Sequence, residues 1–245
     1  MSERPEHMSA TAGEADRAQA TGIRGDRDRL QPDRGEVDAT RAEHPVRVAR
    51  FLPRTRAEGP GERTAIWVQG CSIRCRGCFN PHMWSFRGGE LVSAAALADR
   101  VLGYETEGIT LLGGEPFDQA GPLAEVARRV RAAGRNVMTF SGYTYAELTE
   151  AARRDAGVAA LLAQTDLLAA GPFLADRLDT ERPWVGSTNQ ELILLSDRFG
   201  DRLEGLAQIP DRVEVRVDRS GRVWVNGWAS LDTLDALLSD MSRPG

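Results

Sequence analysis

Between Thr64 and Ser196 short apolar runs alternate with amphipathic stretches, and that alternation limits the fold more than any other feature of the chain. "TAIWVQG" (Thr64 to Gly70) and "GITLLGG" (Gly108 to Gly114) are continuous apolar runs that end in glycine, as strands covered on both faces do. "SAAALADRVL" reads as a short helix with Ser93 as its N-cap, and "QAGPLAEVARRVRAAG" as an amphipathic helix stopped at Gly134. "RNVMTFSG" is a further strand, "YTYAELTEAARR" and "VAALLAQ" are helices, and "TDLLAAG" and "ELILLS" are two more strands. Strands alternating with helices predict an α/β fold with a mainly parallel sheet and right-handed crossovers. In such sheets functional groups collect at the C-terminal ends of the strands. Those ends carry the segments "GCSIRCRGCFN", "GGEP", "FSG" and "AAGPF", which predicts one shared site.

The two flanks read differently. Residues 1–45 hold almost no large apolar side chains and many alternating charges, the composition of a disordered polar tail that includes His7 and His44. The core is expected over residues 46–200. Residues 201–245 are expected to form an extension packed on it. There "RVEVRVDRSGRVWVNGW" alternates apolar and polar residues about Ser220-Gly221, the pattern of a β-hairpin, and "LDTLDALLSDM" reads as a closing helix. Trp224 and Trp228 read as packing residues.

Composition excludes some functions. A formal charge of −5 argues against a general nucleic-acid or anionic-membrane surface. No run has the apolar length of a membrane helix, and "MSERPEHMSA" has no signal-peptide apolar region, so a cytoplasmic protein without a membrane partner is expected. All 31 basic residues are arginine, which leaves no lysine for Schiff-base chemistry.

All three cysteines, Cys71, Cys75 and Cys78, fall within eight positions. An odd, tightly spaced set in a reducing compartment points to metal or redox chemistry rather than to disulfides. Thiolates are soft ligands that suit zinc, copper(I) and iron–sulfur clusters. Three of them can hold three corners of a 4Fe–4S cluster and leave the fourth iron open. With His82 they could instead form a closed Cys3His zinc site.

The C-x3-C-x2-C spacing resembles the signature of the radical S-adenosylmethionine superfamily. "EGPGERTAIWVQGCSIRCRGCFNPHMW", "GITLLGGEPF", "FSGYTYAEL", "LLAAGPFLAD" and "GSTNQ" resemble, in order, segments of the anaerobic ribonucleotide reductase activating proteins. The likeness runs from about Glu58 to Arg198. It implies a partial (β/α)6-type radical S-adenosylmethionine barrel, carrying the C-terminal hairpin and helix as an addition. It also implies that Cys71, Cys75 and Cys78 ligate a 4Fe–4S cluster with one open iron. Gly77 and Phe79 would lie against the adenosyl group of S-adenosylmethionine, and Gly113, Gly114, Glu115 and Pro116 along its methionyl amino group. Ser141 could offer a hydroxyl to the ribose or carboxylate, and Asn189 and Gln190 either line the pocket or cap a loop. Many relatives carry arginine just before the "GS-x-NQ" segment, where this chain has Val185.

The function so implied is reductive cleavage of S-adenosylmethionine to a 5′-deoxyadenosyl radical that takes hydrogen from a glycine of a large glycyl-radical enzyme. A one-electron donor such as flavodoxin or ferredoxin would reduce the cluster. Two alternatives stand beside it: a radical enzyme acting directly on a small molecule or peptide, and a zinc-stabilised binding module with no catalysis.

Overall fold

The computed structural model describes residues 23–25, 45–200, 213–217, 219–221 and 223–227. Its frame is a sheet of eight strands. In chain order they are β1 (Ile23–Gly25), β2 (Val46–Thr55), β3 (Arg63–Val68), β4 (Glu90–Val92), β5 (Gly108–Gly113), β6 (Asn136–Ser141), β7 (Leu167–Ala170) and β8 (Glu191–Leu194). They lie side by side as β1-β8-β7-β6-β5-β3-β2-β4. Among the described residues four α-helices accompany them: α1 (Ala94–Leu102), α2 (Ala120–Ala132), α3 (Tyr145–Ala152) and α4 (Ala156–Gln164). A separate antiparallel hairpin pairs β9 (Val213–Val217) with β10 (Val223–Gly227).

The α/β class is as expected, with parallel pairing at the centre, where β3, β5, β6 and β7 run together. The flanks depart from it. β8 is antiparallel to β7 because only an irregular segment joins them, and antiparallel neighbours need no crossover helix. β2 is antiparallel to β3 for the same reason, and β4 pairs with β2 antiparallel. β1 adds an edge strand parallel to β8, so the expected structureless tail does not hold at Ile23–Gly25. Three residues paired through backbone leave no burial pattern to read in a sequence. The rest of that tail, His7 and His44 included, lies outside the described residues, as do Trp228 and the expected closing helix.

Side chains alternate across each strand, and the two faces differ. Ile66, Val68, Ile109, Leu111, Val137, Leu168 and Ile193 join Leu97, Leu123, Val130, Leu148 and Leu161 of the helices in one core. All four helices cover this face. The opposite face carries two smaller clusters, around Met138, Leu167 and Phe199 and around Leu52, Trp67 and Leu112, with Phe140 packed against both. Among the described residues no helix covers that face, which borders the site.

The helix ends follow their local chemistry. Ser93 caps α1 by accepting from the Ala96 amide, and Thr144 and Glu147 close a capping box on α3. Gly134 takes the left-handed conformation (φ 82°) just past α2.

Arg63 fixes the base of the sheet. It is fully buried, and its guanidinium donates to Thr110 Oγ1 (2.7 Å), Asn136 Oδ1 (2.6 Å), the Pro60 carbonyl (3.1 Å) and the Ile109 carbonyl. Removing it strands several acceptors that water cannot reach. Arg63→Ala is therefore expected to cost about 3 kcal/mol, with a fall in Tm of roughly 6–12 °C. A melt within two degrees of the parent's would show that the acceptors find other donors.

Candidate functional site

The site begins where β3 ends. Backbone bonds from the Gly114 amide to the Val68 carbonyl (2.8 Å) and from the Glu115 amide to the Gly70 carbonyl (2.8 Å) lock the end of β5 against the root of the cysteine loop. The Gly171 amide donates to the carbonyls of Ser141 (3.1 Å) and Tyr143 (2.9 Å), so the ends of β6 and β7 join as well. The four segments expected to converge do so.

The three thiols are unpaired, Cys71 buried and Cys75 and Cys78 half-buried. Backbone amides point at each sulfur: Ile73 and Arg74 at Cys71, Phe173 at Cys75, and Asn80 at Cys78 (3.4 Å). Burial pushes the Cys71 and Cys75 thiols up, and these amides work against it. Left-handed backbone at Arg74 (φ 54°) and Gly77 (φ 82°) turns the loop back on itself. A side chain at Gly77 would meet Ala175, and one at Gly186 would meet Phe173. The rings of Phe79 and Phe173 pack 4.9 Å apart, so the cysteine loop and the β7–β8 segment close on each other.

Glu115 is almost wholly buried and accepts from three donors. The Phe117 amide (2.9 Å) and the Ser141 hydroxyl (3.0 Å) reach Oε1, and the Gly142 amide (2.8 Å) reaches Oε2. Burial drives its carboxyl up to about 7, with these three donors opposing the rise. The carboxylate thus ties β5 to β6; Oε1 has both lone pairs engaged, and Oε2 keeps one free. Ser141 is engaged too, donating to Glu115 and accepting from the Tyr143 amide at 3.1 Å.

Sequence reasoning missed a second tie. The Asp118 carboxylate takes the Ser72 amide (2.7 Å) and hydroxyl (2.9 Å), and the Tyr143 hydroxyl lies 2.8 Å from Ser72 Oγ and donates to Asp118 at 3.3 Å. It anchors the residue next to Cys71 to the ends of β5 and β6. No residue spacing announces it, because Ser72, Asp118 and Tyr143 meet only once the strands are aligned.

The β7–β8 segment is braced from inside. Burial would raise the Asp179 carboxyl, yet the amides of Arg182 and Glu181 and the Arg182 guanidinium hold it below its usual range. Arg182 also donates to the carbonyls of Thr188 (3.1 Å) and Gln190 (2.9 Å). Gln190 bonds the Gly171 carbonyl and the Gly186 and Ser187 amides, so its side chain caps the loop. Asn189 donates to the Pro172 carbonyl (2.8 Å), while its Oδ1 is buried without a hydrogen-bond partner among the described residues. Val185 is buried beside Met138, Leu167 and Phe199.

These features suit a polynuclear cluster and a polar ligand: three soft thiols with amide donors, glycine-lined loops, and a buried acceptor left over at the end of β7. Among the described residues no three His, Cys, Asp or Glu side chains gather closely enough to hold a single ion, and His82 is exposed.

Residues 57–193 match the family described as a 4Fe-4S single cluster domain. The anaerobic ribonucleoside-triphosphate reductase-activating protein of Pasteurella multocida is 32% identical over 149 residues, which are 57% of this chain and 92% of that protein. Those of Vibrio cholerae and Escherichia coli are 29% and 28% identical over 150 residues each, covering 57% of this chain and 92% and 93% of theirs. The chain belongs to this family of activating proteins. The match ends before β9, so the C-terminal hairpin lies beyond the family domain. Among solved structures, QueE from Escherichia coli superposes with a TM-score of 0.34 at 16% identity, over 46% of this chain and 59% of that one, too slight a likeness to bear on the fold.

Proposed function

We propose that the protein is a radical S-adenosylmethionine enzyme that activates an anaerobic ribonucleoside-triphosphate reductase by taking a hydrogen atom from a glycine of that partner. The single observation that carries this reading is the meeting of the three-thiol loop with the "GGEP" strand end, in a chain of the activating-protein family. Cys71, Cys75 and Cys78 would hold a 4Fe–4S cluster. The geometry of a single bound ion is not required, because each thiolate binds a different iron. When bound, the cluster and S-adenosylmethionine supply the electron and the 5′-deoxyadenosyl radical, chemistry that belongs to the cofactors rather than to side chains.

The chain's own residues bind, orient and exclude water. Glycines at 113 and 114 let the β5 backbone approach a ligand closely. Glu115 offers the one remaining lone pair, on Oε2, to an ammonium, and its ties to Ser141 and Gly142 fix the direction. Gly77 and Phe79, with Phe173 tilted against the ring, would receive the adenosyl group. The buried Asn189 Oδ1 is an acceptor for a further ligand donor. Pro116 starts a short 3-10 turn, Pro116–Gln119, which aims Asp118 at Ser72. We take the sheet as the wall of a partial barrel whose face without a described helix admits the partner's glycine loop, and the protein as cytoplasmic. No described helix is long and apolar enough to cross a membrane.

The test is anaerobic incubation with 5-deazaflavin and light, S-adenosylmethionine and the partner reductase. A glycyl radical in the electron paramagnetic resonance spectrum, with one 5′-deoxyadenosine per radical, is the expected result. 5′-Deoxyadenosine formed without the reductase radical, on addition of a small molecule instead, would favour the direct-acting alternative. One zinc and no sulfide per chain would remove the enzyme reading.

A further inference from the structure

From Cys71 to Gly89 the chain carries Arg74, Arg76, His82 and Arg87 and no carboxylate, in a protein whose net charge is −5. All four of these side chains are exposed. None of the three arginines joins an ion pair among the described residues, although arginines elsewhere do so repeatedly. The acidic groups that reach this segment are already committed. Asp118 is held by Ser72 and Tyr143, and Glu90, the next residue along the chain, pairs with Arg100 at 3.2 Å. Across the loop contact, Asp176 stands beside Arg177, and the two charges cancel. Phe86, in the same segment, is 47% exposed, and its ring lies against Gly70 at the loop root.

Three exposed arginines without ion-pair partners on one short segment do little for the stability of the fold, since exposed charges without partners gain almost nothing from it. They are suited to attracting and seating an acidic surface, where arginine and aromatic side chains supply most of the contact energy. Their position selects the partner. Arg74 and Arg76 flank Cys75 directly, so anything docked here rests on the outer side of the ligand loop. In the reading above, a substrate loop instead reaches the face of the sheet that no described helix covers.

We infer that Arg74, Arg76, His82, Phe86 and Arg87 form the docking surface for an acidic one-electron donor protein, which delivers its electron through the outside of the cysteine loop. The inference rests on the radical-enzyme reading above. The step is a transfer of one electron: the donor's reduced flavin loses it, the bound cluster gains it, and no atom is exchanged. Electrostatic steering raises association rates and weakens steeply with ionic strength, because charges more than about 10 Å apart are screened at 0.1 M salt.

The test uses the cluster-loaded protein and the triple variant R74E/R76E/R87E, with reduced flavodoxin as the probe. Matching iron and sulfide content and matching circular dichroism establish that the variant is intact. Flavodoxin binding by titration calorimetry and cluster reduction by stopped-flow absorbance are each expected to weaken at least tenfold at 50 mM salt. The gap should narrow at 0.5 M salt. Reduction by photoexcited 5-deazaflavin, which is uncharged at its reacting ring, should be unchanged. Equal flavodoxin affinity and rate in both proteins would overturn the inference. So would a variant that keeps flavodoxin but loses the reductase, since the patch would then belong to the other interface. Absence of iron and sulfide from the unmutated protein would sink the parent reading instead. Should the triple variant fail to load a cluster, R76E/R87E, which leaves the strained backbone at Arg74 untouched, carries the same test with an expected loss of about fivefold.

Discussion

Cys75→Ala is expected to strip the protein of its cluster and of all S-adenosylmethionine cleavage while leaving the fold in place. Cys75 lies on the loop rather than in the core, half-buried, and its sulfur meets the Phe173 amide. Truncating it leaves one amide without an acceptor, worth roughly 1 kcal/mol, and fills no cavity with strain. Its loss as a ligand is of another order, because a cluster short of a protein corner is not retained against chelation or oxidation. Iron and sulfide near four each per chain in the parent should fall below about one, and 5′-deoxyadenosine should drop to background. Cys75→Ser, which keeps volume and hydrogen bonding, should fail in the same way. A serine or alanine variant that still cleaved S-adenosylmethionine at the parent rate would reject the ligand assignment.

The central fold was legible because its signals are local. Runs such as "GITLLGG" and "RNVMTFSG" fill strands β5 and β6 nearly to the residue, and Ser93 and Gly134 mark helix ends by their own hydrogen-bonding and backbone preferences. The flanking strands were not legible. β2 carries "VRVARFLPRT", where arginines and a proline interrupt the apolar run, because its outer face is only half covered. Strand direction was unreadable at β8 as well, since "ELILLS" looks the same whether it runs with β7 or against it.

The site divides in the same way. The thiols, the "GGEP" strand end and the glycines that admit Phe79 and Phe173 are motifs in the chain, and their spacing was visible. What each polar group does was not. Ser141 and Gly142 serve Glu115, Gln190 serves its own loop, and Ser72 is clamped by Asp118 and Tyr143. The Gln190 bond to Gly186 spans four residues, while the others join residues far apart in sequence that only the sheet register brings together. Val185 shows the converse. Its surroundings of Met138, Leu167 and Phe199 explain a valine, while the neighbouring Arg182 supplies the guanidinium that braces the loop.

Gly114→Ala should be nearly as damaging as loss of a ligand, by a different route. A methyl group there would stand 2.1 Å from the Gly70 carbonyl oxygen and 3.0 Å from that of Val68, both of them backbone. Neither can rotate aside. To make room, the end of β5 must leave β3, which breaks the Gly114–Val68 and Glu115–Gly70 bonds, or the root of the cysteine loop must shift one residue away from Cys71. Overpacking of this kind costs about 1–3 kcal/mol, and two buried backbone bonds add about 1 kcal/mol each. A fall in Tm of roughly 10 °C is expected, together with loss of most of the bound iron. Gly103, just past α1, is the control: its backbone is right-handed (φ −66°), and the nearest atoms to an added methyl lie at 3.5 Å. Gly103→Ala should shift stability by less than about 1 kcal/mol and leave iron content alone. If Gly114→Ala melted and loaded iron like Gly103→Ala, the close seating of β5 on the cysteine loop would not be what holds the ligands in place.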